Sequence, residues 1–202
     1  TNRTNQSIEN LIKNTVSTYF DTNLGKFNDV FRKSPLTAVI DDTDAAILSS
    51  KVSIEQEVRF DPVINPNTNA IVISDYEITF LNTIAAPNDT SPVVSTDFFF
   101  FNSVLCRIQN KLSSTQLQII DQDGNVQKDN IGELVSGEGK IKLNGFQPTS
   151  INSGNSYLRL QTTPADDSVI KPLRSNIVSL GSNLVTAVED IDLANSTVGT
   201  TN

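Results

Sequence analysis

The sequence predicts a mainly β chain with an N-terminal helical segment, an α+β class whose short-stranded antiparallel sheets fall into two subdomains. Three observations predict it. Apolar residues near the start recur every three and four positions, which draws one helical stripe. After Ser50 the period changes to two, the mark of strands with one buried face. The apolar share is 37% of 202 residues, while Asn, Ser, Thr and Asp abound, a mixture that favours many strands joined by turns.

The stripe runs through Ile8, Leu11, Ile12, Val16, Tyr19, Phe20, Leu24, Phe27, Val30 and Phe31. Ser7 or Asn5 can cap its start, because a short side-chain oxygen accepts from the orphan donors of a first turn. Gly25 is placed to bend or break the helix. If continuous over 7–33, it would be roughly 40 Å long at 1.5 Å per residue. Ser34-Pro35 is a second start signal, since proline at the first helical position loses no hydrogen bond, and a short helix over 36–40 follows. Asp41, Asp42 and Asp44 then read as caps.

Downstream, Val52, Ile54, Val58 and Phe60 share one strand face, and Ser53, Glu55, Glu57 and Arg59 the other. Asp61-Pro62 and Asn65-Pro66 stop that strand. A second resumes over 70–81, with Tyr76, Ile78 and Phe80 alternating, so the pair suggests a hairpin or meander. A polar loop over 86–92 reads as a subdomain joint. Further strands are expected over 93–101, 104–111, 116–120, 140–143, 157–162 and 176–180. The expected division is therefore a helical segment 1–48, a first β subdomain 49–90, a second 91–190, and a tail or linker 191–202 too poor in apolar residues to pack. Gly124 and Gly139 are expected in hairpin turns with positive φ.

Composition excludes several functions. Histidine is absent, which removes the usual general base, proton shuttle and commonest metal ligand together. The lone Cys106 can form neither an internal disulfide nor a thiolate metal site, and fits a reducing folding compartment. A net charge of -8 repels phosphate backbones and anionic headgroups, so neither nucleic acid nor membrane is an expected partner. There is no apolar run of membrane-spanning length and no opening signal segment. Methionine is absent at position 1 as elsewhere, which reads as a start inside a longer polypeptide.

Two candidate sites weaken on inspection. Asp121-Gln122-Asp123-Gly124-Asn125 opens like a calcium loop, but the positions that require Gly and Glu hold Val126 and Gly132. Asp166-Asp167 and Asp41-Asp42 are adjacent carboxylates, and neighbours on a turn rarely converge on one substrate. Phe98 to Phe101 alternate between two faces, as in a strand buried on both sides. The competing reading is an aromatic interface for another subunit. No cofactor, catalytic residue or metal site is expected.

Three stretches carry a resemblance. The first runs from Tyr19-Phe20-Asp21 through Asn23-Leu24-Gly25-Lys26-Phe27 and Phe31-Arg32-Lys33-Ser34-Pro35-Leu36 to Ile40-Asp41-Asp42, Ile47-Leu48-Ser49-Ser50 and Val52. The second is Ile131-Gly132-Glu133-Leu134-Val135 with Gly137, Gly139-Lys140-Ile141-Lys142-Leu143 and Gly145-Phe146. The third is Leu158-Arg159-Leu160 with Thr163-Pro164-Ala165, Asp167, Ile170, Arg174 and Asn176-Ile177. In this order they resemble the C-terminal part of the baseplate wedge protein that builds the inner ring of T-even-like contractile phage tails. The family more often has an aromatic residue where this chain has Val135-Ser136.

The resemblance implies a virion structural protein of the tail baseplate, not an enzyme, whose partners are itself, as homodimer or ring, and other wedge proteins. The rival readings are a β-sandwich adhesion or carbohydrate-binding module, and a carboxylate-based hydrolase. The helical stripe suggests where partners bind. It is longer than the chain's own helical material can cover, and leaving Leu, Ile or Phe wet forfeits roughly 1.5 to 3 kcal/mol each. Leu11, Val16, Phe20, Phe27 and Phe31 are therefore the expected protein-interface residues. The competing account packs the helix wholly on its own β domain.

Overall fold

The computed structural model describes residues 4–26, 29–152, 156–170, 180 and 185–187. In chain order its elements are α1 (Asn5–Asn23), β1 (Phe31–Arg32), α2 (Lys33–Asp41), β2 (Gln56–Phe60), β3 (Ser74–Thr79), β4 (Val94–Thr96), β5 (Phe99–Phe101) and β6 (Val104–Asn110). They continue with β7 (Gln116–Asp121), β8 (Val126–Val135), β9 (Lys140–Phe146), β10 (Ser150–Ile151), β11 (Leu158–Thr162) and β12 (Val169–Ile170). The chain is mainly β with a helical N-terminus, as its periodicities predict.

The first helix is real but shorter than its stripe. Thr4, in extended conformation, accepts from the Ser7 backbone N–H at 3.3 Å and caps the start, in place of Ser7 or Asn5. The helix stops at Asn23. Leu24 is already extended, and Gly25 follows at φ +107°, a conformation that only glycine adopts without strain. The rest of the stripe belongs to β1 and α2. α2 begins at Lys33, two residues before Pro35, whose missing N–H falls in the first turn where it has no helical partner. Asp44 bonds the Ala46 N–H at 2.9 Å, but the segment it heads is a turn.

Ten strands form one antiparallel sheet in the order β2-β11-β4-β6-β7-β8-β9-β3, with β5 and β10 branching from β6. The expected β2–β3 hairpin does not form. β2 pairs with β11 and β3 with β9, while the segment between them closes a small turn of its own through the Ile64 to Ile71 bridge. Strands from 49–90 and from 91–190 therefore share the same sheet. The expected strand over 93–101 breaks at Asp97-Phe98, because its halves have different partners: β4 runs beside β11, whereas β5 runs beside β6 and β10. The strand candidate over 176–180 and the tail over 191–202 fall largely or wholly outside the described residues.

The sheet curls into a nearly closed barrel. Its two ends, β2 and β3, meet through side chains: the Gln56 amide donates to Asn82 O at 3.1 Å and accepts from Asn82 N at 3.2 Å. Tyr76 packs edge-on to both Phe60 and Phe146 across the same seam, with Phe60 and Tyr76 centroids 5.4 Å apart, and Phe60 and Phe146 lie tilted to one another. Inside lies the main core, including Phe99, Cys106, Ile108, Leu117, Ile119, Ile131, Ile141, Leu143, Leu158 and Leu160, all fully buried. A second, smaller core belongs to the helical layer. Val52 and Ile54 pack into it, while Val58 and Phe60 of the same alternating run pack into the barrel, so one extended segment ties the two cores together.

Candidate interaction surface

α1 and α2 lie against each other over a core of Val16, Leu24, Phe31, Leu36, Ile40 and Ile170. Phe20 stacks on Phe31 with centroids 5.6 Å apart, and Tyr19 meets Phe20 edge-on. The layer is tied to the segment that follows β11 by backbone and charge. β1 pairs with β12, Phe31 opposite Ile170; the Lys33 N–H donates to Ser168 O at 2.9 Å; and Lys33 Nζ meets Asp167 Oδ2 at 2.6 Å.

The five expected interface residues separate in this setting. Val16 and Phe31, 7% and 2% exposed, lie within the chain's own helical core. Phe20 is half-buried against that core. Leu11 is half-buried and is not part of it, as is Ile8 one turn earlier. Phe27 lies outside the described residues. Among the described residues the stripe is buried in the chain's own core at Val16, Leu24 and Phe31, while Ile8, Leu11 and Val30 keep apolar surface toward solvent. Two open grooves are present. One, about 400 Å³, lies between the helices beside Tyr19 and Val39; the other, about 570 Å³, lies between the 62–71 turn and β10. No Asp, Glu, Lys, Arg or Cys side chain lines either.

Of the carboxylates considered for chemistry, Asp121, Asp166 and Asp167 have structural work, while Asp41 Oδ1 is buried without a hydrogen-bond partner among the described residues. Asp121 accepts from the backbone of Asp123 and Asn125 and from the side chains of Asn125 and Gln127, and these bonds, Asn125's first, hold its pKa below the usual value. It organises the β7–β8 turn, in which Gly124 has φ +87°. Asp166 is bonded by the Ser168 N–H and hydroxyl, which lower its pKa, while the adjacent Asp167 turns to Lys33. The two neighbours diverge. Cys106 is fully buried in the barrel, and burial, aided by the nearby Asp121 charge, pushes its thiol pKa up, away from a reactive thiolate. Among the described residues no three His, Cys, Asp or Glu side chains are grouped to hold a metal ion, and no helix is long and apolar enough to cross a membrane. The arrangement offers surfaces and a braced junction, with no converging acid, base and nucleophile among them.

Residues 1–57 match the family model described as baseplate structural protein gp6, C-terminal domain III. This chain is similar to a baseplate structural protein. The match covers just over a quarter of the 202 residues. It takes in α1, β1, α2 and the segment that carries Val52 and Ile54 into the helical core. The first of the three resembling stretches lies wholly within it; the second and third lie beyond. No curated protein matches the chain. What sequence reasoning missed is the pairing of Lys33 with Asp167, which are 134 positions apart, since neither lies in a pattern that announces the other.

Proposed function

We propose that the chain is a structural subunit of the inner wedge ring of a contractile phage tail baseplate, assembled in the host cytoplasm and binding itself and other wedge proteins. The observation that carries this reading is the match over residues 1–57, which coincides with a discrete structural unit, the helical layer with its own core. The barrel then serves as a stiff module on which that layer is mounted. A ring that changes diameter as a tail contracts needs stiff modules joined at interfaces that can rotate. The N-terminal half of α1, with Leu11 and Ile8 half-buried outside the core, is the part of the layer we assign to contact with a neighbour.

Immunogold labelling of tails from the encoding phage, with antibody raised against this chain, tests the reading. Label at the baseplate end is the expected result. Label on the head or along the tail tube, or none on intact and contracted tails, would overturn it. Glycan binding by the isolated monomer would instead favour the adhesion-module reading.

A further inference from the structure

The sequence contains a single Asn-Gly pair, Asn144-Gly145, near the end of β9. In this pairing an asparagine is chemically least durable. Glycine has no side chain to shield its backbone nitrogen and turns freely about its backbone, so that nitrogen reaches the carbonyl of the preceding asparagine side chain more readily than any other residue's does.

The fold places the pair in a β-bulge. Tyr76 is opposite Leu143 and Ser74 opposite Phe146, so Asn144 and Gly145 together stand against Asp75 alone. Gly145 takes up the extra length in the left-handed conformation, at φ +58°. Its N–H donates to Asp75 Oδ1 at 2.6 Å, a short charge-assisted bond, and its carbonyl accepts from Lys128 Nζ at 3.3 Å. Asn144 itself is exposed, and its side chain makes no hydrogen bond among the described residues. The group open to attack is therefore free, while the nitrogen that would attack it is tied down.

We propose that Asn144 is a site of covalent modification, converted to aspartate or isoaspartate through Gly145, and that Asp75 restrains the conversion. In the first step Gly145 N gives its proton to solvent base and bonds to Asn144 Cγ; the Cγ–Nδ2 bond breaks, Nδ2 takes up a proton and leaves as ammonia, and a cyclic imide remains. Water then adds to one or the other imide carbonyl and opens the ring to an aspartyl or isoaspartyl residue. Asp75 acts on the first step as a positioning residue. Its carboxylate keeps the N–H engaged, and a negative oxygen 2.6 Å from the nitrogen opposes loss of that proton, because the amide anion would form beside it. Leu143 and Phe146, on either side of the bulge, are buried in the barrel core, so the methylene that isoaspartate adds to the backbone would fall where β9 pairs with β3, the last strand of the sheet. The site lies outside residues 1–57 and does not rest on the structural-subunit reading.

Peptide mapping by mass spectrometry over a time course at neutral pH, on the full chain folded and in denaturant, tests it with the parent, Asp75→Ala and Asp75→Asn. The folded parent should convert at Asn144 at least roughly tenfold more slowly than the unfolded parent, the worth of one charge-assisted hydrogen bond. Folded Asp75→Ala should recover most of that difference, and Asp75→Asn, which keeps an acceptor without the charge, should fall between. In denaturant the three chains should convert alike. Circular dichroism melts identify any variant that fails to fold, and Asp75→Asn keeps the test intact if Asp75→Ala does so. A parent that converts as fast folded as unfolded, folded Asp75 variants that convert no faster than the parent, or a folded chain that converts at other asparagines and not at Asn144 would each overturn the proposal.

Discussion

Asp121 shows how one side chain fixes a turn and how that can be measured. Its pKa is lowered in the fold, so the stability it confers is full above the unfolded-state value and is lost as pH falls through the folded one. Acid titration of the parent should therefore show a loss of stability in the carboxylate range that is smaller in Asp121→Asn, and equal slopes would show that the turn does not depend on the charge. Glycines give a second contrast. Gly139 has φ +63°, and an added Cβ would lie 2.6 Å from Asn82 O; Gly132, mid-strand in β8, has φ +154°, and its Cβ would lie 2.0 Å from Lys142 O. Gly132→Ala should destabilise more than Gly139→Ala, each by about 1 kcal/mol or more, read from thermal melts. Unchanged midpoints would show that the backbones do not approach so closely. Gly139 was legible in the sequence because turn chemistry is local. Gly132 was not, because its need comes from the register of β9, set by residues ten positions further on.

At the scale of elements, helix existence was easier to read than helix extent. The apolar stripe continues past Gly25 without a change of period, since β1 and α2 bury their side chains in the core that α1 also uses. Periodicity reports burial and does not distinguish one long helix from a helix, a break and a second helix on one core. The same core separates two substitutions that a stripe alone would treat alike. Val16→Asp places a charge where only 7% of the residue is exposed and should melt the helical layer, at a cost of about 3 kcal/mol or more. Leu11→Asp, outside that core, should leave helical circular dichroism and melting nearly unchanged while weakening association with a wedge partner or a second copy. If Leu11→Asp associates like the parent, the N-terminal half of α1 is not a partner surface. If it unfolds the layer, α1 is packed along its whole length on its own chain.

Across the whole molecule, the sheet closes where backbone pairing runs short, and buried polar side chains supply the missing bonds. β4 and β6 share one register pair, Ser95 with Gln109. Beside it, Thr96 Oγ1 accepts from Ile108 N at 2.9 Å, and Asn110 Oδ1 accepts from Val93 N and Val94 N at 2.8 and 3.0 Å. At the β2–β3 seam Gln56 does the same for both backbone groups of Asn82. Gln56, Thr96 and Asn110 are 7%, 5% and 0% exposed, so water cannot replace them. None was legible in the sequence: each looks like an ordinary polar strand or turn residue, and its role depends on a partner segment brought close only by the closed sheet. Replacing Gln56 or Asn110 by Leu keeps much of the bulk but leaves buried N–H and C=O groups unpaired, at about 1 to 3 kcal/mol for each orphaned group. Asn110→Leu orphans more groups than Gln56→Leu, because its amide also donates to Lys111 O and Ser114 O, and it should melt at the lower temperature. Hydrogen exchange distinguishes the two sites. Gln56→Leu should speed exchange at Asn82, and Asn110→Leu at Val93 and Val94, with Asp121, whose N–H is bonded to Asn125 O in the β7–β8 turn, unchanged in each. Uniform acceleration in either variant would mean that the barrel opens as one unit and that these side chains do not mark separate lines of closure.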